Sequence, residues 1–89
     1  MDIHAFWDAV IRQDAQAIRP FFAPDAVIRW HCSNERFTVE EFIRANCEYP
    51  GRWAAEMERL TETVGGLVTA MRVWPEDGDV SFHVASFFV

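Results

Sequence analysis

The run VSFHVASFFV at residues 80–89 constrains this chain more than any other stretch. Its β-branched and aromatic residues favour a strand. An apolar strand at a sheet edge offers unpaired backbone groups to any neighbour, so this one is expected to pair. Pairing partners lie just upstream. Pro75-Glu76-Asp77-Gly78-Asp79 reads as a hairpin connection with an Asp-Gly turn. Before it, LVTAMRVW at 67–74 is strand-like, and Gly65-Gly66 marks another turn.

The N-terminal half has a different period. Ile3, Phe6, Trp7, Val10 and Ile11 fall at i, i+3, i+4, i+7 and i+8, one apolar stripe of an amphipathic helix. Asp14 can cap a second short helix carrying Ala17, Ile18, Phe21 and Phe22, bent or restarted at Pro20. Residues 25–32, DAVIRWHC, alternate as a strand, with Ile28, Trp30 and Cys32 on one face and Val27, Arg29 and His31 on the other. Ser33-Asn34-Glu35-Arg36 reads as a polar loop. Thr38 and Glu41 form a capping box for a third helix bearing Val39, Phe42, Ile43 and Cys47, which Tyr49-Pro50-Gly51 stops. Helices first and antiparallel strands later define an α+β class.

Residues 52–64 carry conflicting signals. Trp53, Met57, Leu60 and Val64 recur at i, i+4, i+7 and i+11, which favours a helix. A strand would need a bulge between Met57 and Leu60 to keep both on one face.

At 89 residues the chain holds one domain, and a domain of this size buries only about 60–65% of its unfolded surface. Association with a second copy would add stability. Aromatic residues make up 15% of the chain, with eight Phe and four Trp, more than a minimal core needs. The surplus calls for a ring-lined cavity or a covered apolar surface. The net charge of −6, from 14 acidic and 8 basic residues with no Lys cluster, argues against nucleic acid and anionic membrane as partners. The basic residues are all Arg and scattered, which ordinarily means surface solvation. Cys32 and Cys47 are too few for a disulfide scaffold, and no signal peptide or membrane span is visible. These features give the expectation of a cytoplasmic protein with reduced thiols.

The segments DAQAIRPFFAPDAVIRW at 14–30, RFTVEEFIRANCEYPG at 36–51 and DVSFHVASFFV at 79–89 together resemble the nuclear transport factor 2-like superfamily, in particular its SnoaL-like members. The resemblance covers residues 1–89 as one domain and rests on structural motifs. It implies a cone-like, curved antiparallel sheet wrapped around the N-terminal helices, an apolar pocket, and dimerisation through the sheet. It also implies that residues 52–63 are a strand, against their periodicity. Folds of this kind usually finish with one more strand than the one closing here at Val89, which leaves that edge for a further segment or a partner's strand.

What the resemblance implies for chemistry is partly negative. By position, the base of ketosteroid isomerase falls on Trp30 and its oxyanion donors on Phe6 and Ala85. None of these offers a carboxyl or hydroxyl group, so ketosteroid-type isomerisation is not expected. SnoaL-like cyclases use Asp and His, and the resemblance turns His83 inward with Ser81, Ala85 and Phe87, as an acid–base candidate. The bland alternative is a histidine hydrogen-bonded within the sheet. Phe6, Trp30 and Trp53 are candidates to line a pocket or simply to fill it. Asn46, Glu48 and Tyr49 gather at the end of the third helix, where they could hold a ligand's polar end or merely finish the helix. His31 is expected to face outward, and His4 to lie in solvent. His31, Cys32, Cys47 and His83 lack metal-ligand spacing, so neither metal nor cofactor is expected.

Two function classes remain. One is a protein that binds an apolar small molecule, with isomerase, cyclase or hydrolase-type chemistry on His83. The other is a non-catalytic dimerisation or ligand-binding module.

Overall fold

Asp2 opens the first helix, α1 (Ile3–Ile11), by accepting a bond from the Ala5 amide at 3.0 Å. Asp14 does the same for α2 (Ala15–Ile18) through the Ala17 amide. Pro20 then sits in the first turn of a 3₁₀ segment, Arg19–Phe21, where its missing N–H costs little. In the computed structural model, which describes residues 1–89, the chain divides into two compact units, Met1–Pro50 and Gly51–Val89.

In the first unit, Ile3, Phe6, Ala9 and Val10 of α1 are buried, as are Ile18 of α2 and Val39, Phe42 and Ile43 of α3 (Val39–Cys47). Of the α1 stripe that the periodicity picks out, Ile3, Phe6 and Val10 are buried and Trp7 and Ile11 half-buried, with Ala9 buried beside them. Phe6 makes edge-to-face contacts with Trp7, Phe21 and Phe22, at centroid distances of 5.5, 5.6 and 5.7 Å. Polar bonds tie the C-terminal ends of α1 and α3 together. Asn46 Nδ2 donates to the Val10 carbonyl at 2.9 Å, and Gln13 Nε2 donates to the carbonyls of Asn46 and Tyr49.

The capping box forms as expected: the Glu41 amide donates to Thr38 Oγ1, and Glu41 Oε1 accepts from the Thr38 amide at 2.8 Å. That backbone bond holds the Glu41 carboxyl below its ordinary range. The fork of Arg19, at 2.6 and 3.0 Å, does the same to Glu40. Both contributions are present once the carboxylates are ionised and are lost as the pH falls through their lowered values.

The loop expected at 33–36 is shorter than the sequence suggests. Val27–Trp30 (β1) and Glu35–Thr38 (β2) form an antiparallel hairpin, pairing Val27 with Thr38, Ile28 with Phe37, Arg29 with Arg36 and Trp30 with Glu35. The second strand, ERFT, was hidden because it is four residues long, carries one large apolar side chain, and ends on the residue that caps α3. Asn34 takes a left-handed φ of 58° in the turn, a conformation its short polar side chain tolerates.

The second unit is a three-stranded antiparallel sheet in the order β3 (Trp53–Thr63), β4 (Gly66–Pro75), β5 (Phe82–Phe88). Residues 53–63 are a strand, as the resemblance implies and the periodicity does not. Its register shifts between Met57 and Arg59, a bulge that explains the helix-like spacing: Met57 and Leu60 face the same way across three positions. Gly65 makes the tight β3–β4 turn at φ 82°. At Gly66 a Cβ would strike the Phe88 carbonyl oxygen, so only glycine lets β5 approach this closely.

Candidate functional site

Strand register sorts the second unit into two chemically distinct faces. Pairings Met57–Met71, Ala55–Val73, Met71–Val84 and Val73–Phe82 place Trp53, Met57, Met71, Val73, Phe82 and Val84 on one face. The Trp53 and Phe82 rings meet on it at 6.3 Å. Its centre is closed, with Thr69 and Met71 buried, while its β5 flank stays open, Phe82 at 53% and Val84 at 38% exposure. Glu62, at the far end of β3, is the face's only ionisable side chain.

The opposite face is charged. Glu56, Arg72 and His83 stand in one row across the three strands. Glu56 lies 3.9 Å from Arg72, whose guanidinium lies 4.3 Å above the Trp74 ring. The bulge re-aims Glu58 so that its Oε1 reaches His83 Nδ1 at 2.9 Å. Sequence reasoning missed Glu58, and its one signal was the bulge needed to reconcile Met57 with Leu60. A carboxylate on Nδ1 fixes the ring and leaves Nε2 to exchange protons, an arrangement able to serve acid–base chemistry.

This register separates residues that were expected together. His83 lies on the open charged face with its side chain 68% exposed, rather than turned inward, and Ala85 and Phe87 share that face. Trp53 is on the other side of the same sheet. The alternation along β5 could not decide the matter, because Phe82, Val84 and Phe88 alternate with Ala85 and Phe87 and both faces look apolar.

The remaining candidates belong to the first unit. Phe6 is packed among rings as core. Trp30 is partly exposed and leans edge-on against Phe37 at 4.7 Å. Tyr49 lies at the surface, with its carbonyl accepting from Gln13. Asn46 is occupied in joining α1 to α3. His4 and His31 are exposed, as expected for both.

The sequence matches no family model and no curated protein. Among solved structures it is similar to a ketosteroid isomerase-like protein from Kribbella flavida, with a TM-score of 0.82 and 20% identity. That match covers 96% of this chain and 62% of the other. It is also similar to an NTF-2 like protein of unknown function from Burkholderia xenovorans, with a TM-score of 0.81, 18% identity, and 96% and 66% coverage. The chain thus spans just under two thirds of the length of each. It shares the α+β fold of these two structures. At these identities the likeness extends to the fold alone.

Proposed function

We propose that this chain binds an apolar small molecule against the sheet face formed by Trp53, Met57, Val73, Phe82 and Val84, and that this face contributes binding rather than proton transfer. The observation that supports the reading is the composition of that face. It is apolar in register across three strands, open at Phe82 and Val84, and free of ionisable groups except Glu62 at its end. A ring pair such as Trp53–Phe82 favours flat, apolar ligands. Isomerase, cyclase or hydrolase chemistry would need an acid or base beside the ring pair, whereas the one carboxylate of this face, Glu62, stands at the far end of β3 opposite Leu67. In a thermal-shift screen of flat hydrophobic compounds, at least one should raise the melting temperature. Val84→Asp should abolish that shift, and His83→Ala should leave it intact. Loss of the shift in His83→Ala with retention in Val84→Asp would transfer the ligand to the charged face and restore His83 as its acid–base group.

A second reading, a homodimer through the sheet, is favoured by one residue. Phe87 projects from the charged face at 76% exposure, beside Val68 and Ala85. Glu56, Glu58, Arg59 and Arg72 on the same face balance in charge, so two copies could meet there despite a chain charge of −6. Sedimentation at micromolar concentration should give a dimer that Phe87→Asp converts to monomer. A wild-type monomer would remove this reading.

A further inference from the structure

The β1–β2 hairpin contains an arrangement that folding alone does not favour. Arg29 and Arg36 are direct partners across the antiparallel ladder. Like charges placed directly opposite each other destabilise a strand pair. Carboxylates are plentiful in this chain, 14 against 8 basic residues, and other arginines find them. Arg12 pairs with Asp8 and Asp14, Arg19 with Glu40, and Arg72 with Glu56, yet no carboxylate reaches Arg29 or Arg36. Arg44, Arg52 and Arg59 also lack an ion pair, but none of them has a second arginine as its ladder partner.

Arg29 and Arg36 both line one depression. It has a volume of about 290 Å³ and is lined by Arg29, Trp30, His31, Asn34, Glu35 and Arg36. It is open to solvent and wide enough for a small anion. The donors are of one kind. Each arginine offers a planar fork suited to two oxygens of an oxyanion, Asn34 adds amide protons, and His31 adds a ring nitrogen. Glu35 lines the same depression and opposes them, one carboxylate against two guanidinium groups.

The geometry points to an oxyanion site at the tip of the first hairpin, for a phosphate-type dianion, either free or as the phosphoryl group of a small molecule. Two adjacent positive charges match a dianion better than a monocarboxylate. The dianion would turn the unfavourable Arg29–Arg36 pairing into a bridged one. The site lies wholly within residues 29–36 and is independent of the sheet face discussed above.

The test uses the full chain, titrated by heteronuclear NMR and by thermal shift with inorganic phosphate, phenyl phosphate and acetate. Saturable shifts centred on the amides of residues 29–36 are expected with both phosphates, together with a higher melting temperature. Arg29→Gln and Arg36→Gln should each weaken binding about tenfold or more, the usual scale for losing a charged hydrogen-bond partner. Arg36→Gln should also leave the unliganded protein as stable as wild type or more so, because it removes the repulsion. Glu35→Gln should bind at least as tightly as wild type, and Arg59→Gln should bind identically. Tighter binding of phenyl phosphate would mark a phosphorylated compound as the ligand; equal binding would mark the free anion. The proposal falls if neither phosphate gives a saturable response, if both arginine variants respond like wild type, or if acetate binds as tightly as phosphate.

Discussion

Phe6→Ala should destabilise this protein by about 3–5 kcal/mol, the range for deleting a buried phenyl ring from a core that cannot fully collapse. Phe6 is 3% exposed and has three aromatic neighbours within 5.7 Å in edge-to-face geometry. Those pairs add to the area term, since each is worth about 0.5–1.5 kcal/mol beyond burial. The better helix propensity of alanine returns only about half a kcal/mol. Globular domains hold about 0.05–0.15 kcal/mol per residue, so 89 residues hold about 4–13 kcal/mol in all. Losing 3–5 of that is a large part of the total, and melting should fall by tens of degrees at about 4–8 °C per kcal/mol. Urea unfolding followed by tryptophan fluorescence measures it. Phe6→Leu, which keeps most of the volume but gives up the edge-to-face pairs, should cost less than the alanine variant. An alanine variant within about 1 kcal/mol of wild type would mean that Phe6 lines an empty space instead of filling the first unit.

Phe6 also illustrates what the sequence could and could not reveal. Its place on a buried helical stripe follows from the 3.6-residue period, and the caps at Asp14 and Thr38 follow from side-chain chemistry acting over three residues. Such signals are local and survive translation into structure. Whether Phe6 packs among its own rings or borders a pocket depends on where Phe21 and Phe22 turn, which no period encodes. The β3 strand failed locally for a definite reason. A bulge at Glu58 inserts one residue, converts the two-residue period into a three-residue step, and so imitates a helix. Long-range register overrode the local pattern. The hairpin strand β2 was lost to its brevity, and with it went the Arg29–Arg36 pairing, which exists only through register. The inward placement of His83 had the same origin, because β5 is apolar on both alternating faces and only its pairing with β4 distinguishes them.

That distinction of faces yields the second large effect. Met71→Ala should cost about 2–5 kcal/mol, as for other buried large-to-alanine changes, whereas Arg72→Ala, one residue along β4, should cost about 1 kcal/mol. Met71 is 3% exposed in the central strand, flanked by Met57 and Val84 across both ladders. Removing its thioether chain leaves a gap on the sheet face between Met57 and Val84, whose backbones are held in register by the ladders and cannot close on it. Arg72 faces the other way, with a cation–π contact to Trp74 and a long ion pair to Glu56 in partial solvent. Such contacts are worth about 0.5–1 kcal/mol each at exposed positions and are weakened by screening. The comparison therefore reads out orientation along a single strand by equilibrium denaturation. Comparable losses from both substitutions, or a larger loss at Arg72, would mean that the charged face is the covered one. In that case a ligand would lie beside His83 and Glu58, and the apolar face would be left to pack against protein.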